Sequence, residues 1–273
     1  MHEVTLSDQP WQRIRIAEHS DRVELVLDHA PTRNAIDQQM VDELHAVCAQ
    51  LERAPKVLII TGANGLFASG ADIGQLKERR RDDALAGINS GIFHRIAKLP
   101  MPVIAAIEGY ALGGGAELAY AADFRIAAPN ARFGNPETAL GIMAAAGATW
   151  RLRELVGEPL AKEILLAGRQ LDAQEALECR LITEIHEVDA LLPAAHALAD
   201  RIGKQDPLAV RITKAVFHTP REVHPLIDEL AQGMLFESDA KFERMQGFLD
   251  ARAARRAARE AQAAQNPTGK DQA

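Results

Sequence analysis

Only two cysteines, Cys48 and Cys179, occur in 273 residues. Two thiols cannot build a disulfide framework and this pair lacks metal-ligand spacing, so a reducing, cytoplasmic setting is expected. Long apolar runs are also missing: no segment reaches the length of a membrane span. The opening MHEVTLSDQPWQRIRI is polar and acidic, without the apolar stretch of a signal peptide, so no membrane association is expected. Positive charge is in short supply, with 31 Lys and Arg against 38 Asp and Glu and a formal net charge of −7. That balance opposes a phosphate backbone, and no nucleic-acid partner is expected. The local basic runs, Arg79-Arg80-Arg81 and Arg252, Arg255, Arg256 and Arg259, fall in stretches that read as solvated helix faces.

Several chemical signatures are absent as well. The nine histidines form no HExxH and no repeated His/Cys spacing, so no metal is expected. Neither Ser69 nor Ser90 sits in a G-x-S-x-G elbow, which disfavours a hydrolase nucleophile. The one run of three glycines is not followed by Gly-Lys-Ser/Thr, and Leu118 stands where the last glycine of a dinucleotide fingerprint would fall.

What is present is a soluble composition, 47% hydrophobic and 25% charged, sufficient for one main core. Arg13 to Glu18 and Arg22 to Asp28 alternate apolar and polar residues around a polar break, which predicts a hairpin. From Asp37, a candidate N-cap, Met40, Leu44, Val47 and Leu51 recur at helical spacing up to Pro55. KVLIIT (56–61) and PVIAAI (102–107) read as buried strands, joined by a crossover helix over 82–98. Strands are further predicted at 124–128 and within 182–188. The alternation indicates an α/β core with parallel pairing, and beyond about Asp189 only helical periodicity remains.

Each of the two strongest strands runs into a glycine-containing loop. The first, Thr61 to Ile73, carries small residues at 68–71 that let a ligand approach the main chain; taken alone, an ordinary strand-to-helix turn is the leading explanation of it. The second, Gly109-Tyr110-Ala111-Leu112-Gly113-Gly114-Gly115, precedes a helix whose first amides and dipole favour developing negative charge. Close helix–strand packing is the alternative there. Gly114 is expected in a backbone conformation that only glycine takes easily. Glu117 lies on the first turn of that helix and Glu137 twenty residues on, with the strand at 124–128 able to return the chain to the same end. Two carboxylates sharing a pocket would separate in protonation and could hold a water and move a proton.

In order and spacing, Arg33-Asn34-Ala35-Ile36, FASGADI, PVIAAIEGYALGGGAELA and FGNPE followed by LG resemble the enoyl-CoA hydratase/isomerase family, also called the crotonase superfamily. The resemblance covers about residues 12 to 258. It implies a spiral of ββα turns over 12–195, a C-terminal helical trimerisation region over 196–258, and a homotrimer or homohexamer; residues 259–273 are expected to form a mobile tail. It further implies an oxyanion hole from the backbone N–H groups of Ala71 and Gly114, and water held by Glu117, which deprotonates it, and Glu137, which exchanges a proton at the α-carbon. Coenzyme A contacts are implied near Arg33, Ala35, Ser69, Ala71, Asp72 and Ile73, with coenzyme A a part of the substrate and no separate cofactor. The expected reaction is reversible hydration of a trans-2-enoyl-CoA; isomerisation on the same thioester, or a non-catalytic RNA-binding or scaffold role, are the alternatives. Two departures stand out. Ala144-Ala145-Ala146 and Trp150 replace residues usual after the second glutamate and are expected to reshape the acyl pocket, and Ala251 stands where the family often has a lysine.

Overall fold

The predicted hairpin forms at the start of the chain: β1 (Ile14–Glu18) pairs antiparallel with β2 (Arg22–Leu27), Ile14 opposite Leu27. In this computed structural model, which describes residues 6–265, the chain then enters α1 (Gln38–Arg53). That helix begins where the Asp37 side chain accepts from Met40 N at 2.8 Å, and it ends before Pro55. β3 (Val57–Gly62) lies parallel to β2, and β4 (Val103–Ile107) parallel to β3. Between them run α2 (Ile73–Glu78), α3 (Arg81–Ala86) and α4 (Ile88–Ala97). The single crossover helix expected over 82–98 is therefore broken, because Gly87 takes a left-handed φ of 65°.

The near-continuous apolar strands follow from the sheet being covered on both faces. Side chains alternate along each strand, so Leu58 and Ile60 of β3 and Val103, Ala105 and Ile107 of β4 join one core with Met40, Leu44, Ile92 and Ile96. Their neighbours Val57, Ile59, Ile104 and Ala106 face the other way, against Leu191, Ala195, Leu198 and Ile202.

After β4 come β5 (Tyr110–Leu112), α5 (Gly114–Ala121), β6 (Phe124–Ala127) and β7 (Arg132–Gly134). Next are α6 (Ala148–Val156), α7 (Glu158–Ala167), β8 (Leu171–Asp172), α8 (Ala173–Glu178) and β9 (Glu184–Ile185). The main sheet has the order β1-β2-β3-β4-β6-β9, and β5-β7-β8 form a second sheet that the sequence did not announce. Its strands of two or three residues are too short for periodicity to register.

α9 (Val188–Gly203) supplies the second apolar layer, so the division expected at 195/196 falls inside a helix that belongs to the core. One compact unit runs to Ala215 and another begins at Val216, within the last turn of α10 (Pro207–Phe217). The second unit, taken by itself, is helical, with α11 (Leu226–Phe236) and α12 (Asp239–Gln265). Residues 259–265 of the expected tail continue α12, and the rest of that tail lies outside the described residues. Among the described residues no helix is long and apolar enough to cross a membrane.

Candidate active site

Parallel strands leave their carboxyl ends on one edge of a sheet, the usual place for ligands in such folds. Both glycine-containing loops leave from that edge, after β3 and after β4. Backbone bonds stitch them together: Phe67 N donates to Glu108 O at 2.8 Å, Ala68 N to Tyr110 O at 2.9 Å, and Leu112 N to Ala68 O at 3.2 Å. On the other side of the first loop, Ile36 N donates to Gly70 O and Asp72 N to Ile36 O. Since N–H groups alternate sides along an extended segment, Ala71 N faces away from Ile36. It faces Gly114: a methyl group placed there would sit 3.2 Å from Ala71 N. Gly114 opens α5, so its N–H has no partner within the helix. Among the described residues neither Ala71 N nor Gly114 N has a protein acceptor.

The three glycines have three separate reasons. Gly113 holds φ 52° and ψ −125°, a combination closed to other residues, and a methyl there would lie 3.2 Å from Glu137 Oε1. Gly115 lets α5 close on the first loop, since a methyl on it would fall 2.4 Å from Ala68 O. Gly114 has no left-handed φ, so the conformational demand expected of it rests on Gly113. At the far end of α5 the buried Arg125 guanidinium donates to Ala122 O at 2.5 Å and, through Nε, to Leu181 O at 2.8 Å. It anchors the helix where the dipole favours a cation, although burial pulls its pKa down to about 10.

Glu117 is 3% exposed. Its Oε1 accepts from Ala146 N at 2.7 Å and Ala148 N at 3.1 Å, at the entrance to α6. Burial raises its pKa to about 7; bonds from Ala148 and Ala146 oppose that rise and the nearby Glu137 charge adds to it. Glu137 arrives by way of the small sheet. β7 runs parallel to β5 with Leu112 opposite Gly134, and Gly113 N donates to Gly134 O at 2.8 Å. The chain then turns at Pro136 into a single 3-10 turn. It is this second sheet, rather than the strand at 124–128 alone, that returns Glu137 to the donor loop. Tyr120 Oη donates to Asn135 Oδ1 at 3.1 Å, which leaves Asn135 Nδ2 facing Glu137 Oε1 at 3.5 Å. Burial raises the Glu137 pKa, opposed by its backbone and Asn135. Its Oε2 is buried and has no hydrogen-bond partner among the described residues.

Ala71, Ile73, Gly114, Glu117 and Glu137 line one cleft of about 670 Å³, walled by Leu76, Ile88, Leu140, Ile142 and Met143. The other predicted contacts lie elsewhere. Arg33 lines a separate hollow of about 550 Å³ with Tyr110 and Arg132, its guanidinium 5.5 Å from the Tyr110 ring centroid. Ser69 Oγ donates to Thr32 O, Asp72 caps α2 by accepting from Gln75 N at 2.7 Å, and Ala35 is buried. Ala145 and Ala146 line the cleft, but Trp150 does not; it is 43% exposed, with Arg151 over its ring. Of the residues expected to reshape an acyl pocket, only Ala145 and Ala146 border the cleft.

Residues that sequence reasoning left without a role are Tyr120, Asn135, Asn89 and Asn34. Asn34 is 1% exposed, with φ 55°, a conformation asparagine tolerates. It accepts from His29 N at 2.8 Å and donates to Leu66 O at 2.8 Å, tying the first loop to the segment before α1. Its signal was the Arg33-Asn34-Ala35-Ile36 motif itself.

With this geometry in place, comparison with known proteins is informative. The profile described as enoyl-CoA hydratase/isomerase matches residues 20–255. The short-chain-enoyl-CoA hydratase of Clostridium acetobutylicum is 35% identical over 231 residues, covering 82% of this chain and 87% of that protein. The crotonyl-CoA hydratase of Syntrophomonas wolfei is 34% identical over 89% of this chain and 97% of its own length. Among solved structures, enoyl-CoA hydratase from Bacillus anthracis superposes with a TM-score of 0.83 at 31% identity, covering 88% of this chain and 97% of that one.

Proposed function

The chain belongs to the enoyl-CoA hydratase/isomerase family and is a hydro-lyase acting on enoyl-CoA, and from that premise we propose how its cleft divides the work. The thioester oxygen sits between Ala71 N and Gly114 N. As the water oxygen bonds to the β-carbon, the π electrons of the double bond move toward the thioester oxygen, where two N–H groups and the α5 dipole hold the charge. Glu117 takes the water proton. Glu137, whose neutral carboxyl is favoured by burial, gives its proton to the α-carbon. One proton is shared by the pair throughout, as expected for two neighbouring buried carboxyls, and exchange with solvent restores the starting arrangement.

The observation that carries this reading is the convergence of two buried glutamates on the cleft that also holds two unpartnered backbone N–H groups. Glu117→Gln and Glu137→Gln are each expected to lower turnover ~10²–10⁴-fold with thioester binding retained, followed by loss of the conjugated absorbance. Parental turnover in both variants refutes the division of roles. Isomerisation is not favoured, because the relatives compared are hydratases and a single acid often suffices for it. The net charge of −7 and the retained acid pair count against an RNA-binding or scaffold role.

The apolar walls support an apolar acyl chain of the kind used in fatty-acid metabolism, and a panel of enoyl-CoA thioesters from short to long and branched defines it. Coenzyme A is read as running along the loops at Ala35, Ser69, Asp72 and Ile73 toward Arg33. Exposed Leu226, Leu230, Met234, Phe242, Phe248 and Leu249 support a homotrimer or homohexamer.

A further inference from the structure

The break at Gly87 starts α4 at the wall of the cleft, with Asn89 in its first turn. A methyl group placed on Gly114 would lie 3.2 Å from Ala71 N and 3.6 Å from Asn89 Nδ2. Gly114 N is within about 2.5 Å of that point by covalent geometry. Three nitrogens that can donate therefore cluster about one point beside the Gly114 Cα at the cleft wall, the third on a side chain.

Which edge of the Asn89 amide faces that volume follows from its other neighbour. Arg79 Nη1 lies 3.2 Å from Asn89 Oδ1. A guanidinium has donors only, so the amide atom facing it is the oxygen and the NH2 group turns toward Gly114. Among the described residues no protein acceptor receives that NH2, and no carboxylate pairs with Arg79. Arg79, expected on a solvated basic face, is half-buried and lines the cleft. Its charge lies on the side of the amide away from the reacting oxygen, where it strengthens the amide as a donor.

We propose that Asn89 donates a third hydrogen bond to the thioester oxygen as charge builds on it, and that Arg79 is the positioning residue that holds the amide in its donating orientation. The inference rests on the hydratase reading above. The two backbone donors remain when Asn89 is altered, so the loss is smaller than for removal of a principal donor: roughly 10–100-fold in kcat, with little change in KM.

Two substitutions separate donation from scaffolding. Asn89→Asp keeps the shape and accepts from Arg79 at least as well, but offers the thioester no donor; Asn89→Ala removes both contacts. Both are expected to lose kcat, and Asn89→Asp to retain parental thermal stability. Arg79→Met is expected to lower kcat with KM unchanged, and Arg79→Lys to recover part of it. A second readout is independent of turnover. A bound 4-dimethylaminocinnamoyl-CoA absorbs further to the red the more strongly its carbonyl is hydrogen-bonded, and this shift is expected to shrink in both Asn89 variants. Parental kcat together with a parental red shift in Asn89→Asp and Asn89→Ala overturns the proposal. If the unaltered protein fails to hydrate any enoyl-CoA, the functional reading falls, and the red shift alone decides the third donor.

Discussion

Replacing Glu117 by glutamine should make this protein more stable at alkaline pH while disabling it. Glutamine keeps the oxygen that accepts from Ala146 N and Ala148 N, so the local hydrogen bonds survive. What it removes is a carboxyl group whose pKa stands at about 7 in the fold against an ordinary 4.5. A raised carboxyl means that the folded protein holds its proton more tightly than the unfolded chain does. Its contribution is present in full below pH 4.5, declines as pH rises between the two values, and is lost above about 7. At about 1.4 kcal/mol for each pH unit, the interval from 4.5 to about 7 corresponds to about 3.5 kcal/mol. The variant should therefore match the parent near pH 4.5 and exceed it by about 3.5 kcal/mol at pH 8. Urea unfolding at fixed ionic strength and fixed protein concentration measures the difference, the second condition being needed for any oligomer. A stability difference that does not change with pH, or a variant less stable than the parent at pH 8, refutes the argument that burial dominates at Glu117.

The remaining predictions follow from the same geometry. If ionised Glu117 is the base, kcat/KM should rise with pH and level off above about 7; a profile flat from pH 6 to 8 counts against it. Gly113→Ala forces a left-handed φ on alanine and crowds Glu137, so it should cost roughly 1–3 kcal/mol in thermal unfolding along with turnover. Gly115→Ala should be worse, because the added methyl meets the fixed backbone at Ala68 O rather than a movable side chain; a Gly115→Ala protein that melts with the parent would remove the packing role given to that glycine.

Much of this was legible without coordinates. The hairpin, the Asp37 cap, α1, β3 and β4 were readable because each depends on a local rule, side-chain alternation or a helix-starting carboxylate, that operates within a few residues. The two glycine-containing loops and the pair Glu117 and Glu137 were readable as candidates for a similar reason, since loops of small residues after buried strands leave backbone donors exposed. Ala71 and Gly114 as the paired donors, and the separate roles of the two glutamates, came from the resemblance to the enoyl-CoA hydratase/isomerase family. Other features depended on residues far apart in sequence. The β5-β7-β8 sheet has no strand long enough to show a period, yet its pairing of Leu112 with Gly134 is what returns Glu137 to the donor loop. Arg79 in an arginine run looked like solvent-facing charge, and only the break at Gly87 turns Asn89 toward Gly114 and places both at the cleft. Trp150 looked like a pocket residue, but α6 carries it to the surface. The sequence by itself determined which residues could donate, accept or titrate, because those capacities belong to single side chains and short turns. Tertiary structure alone decided which of them share a site, and it raised the Glu117 pKa to about 7, because burial and contacts spanning 29 to 31 residues come into being only when the chain closes on itself.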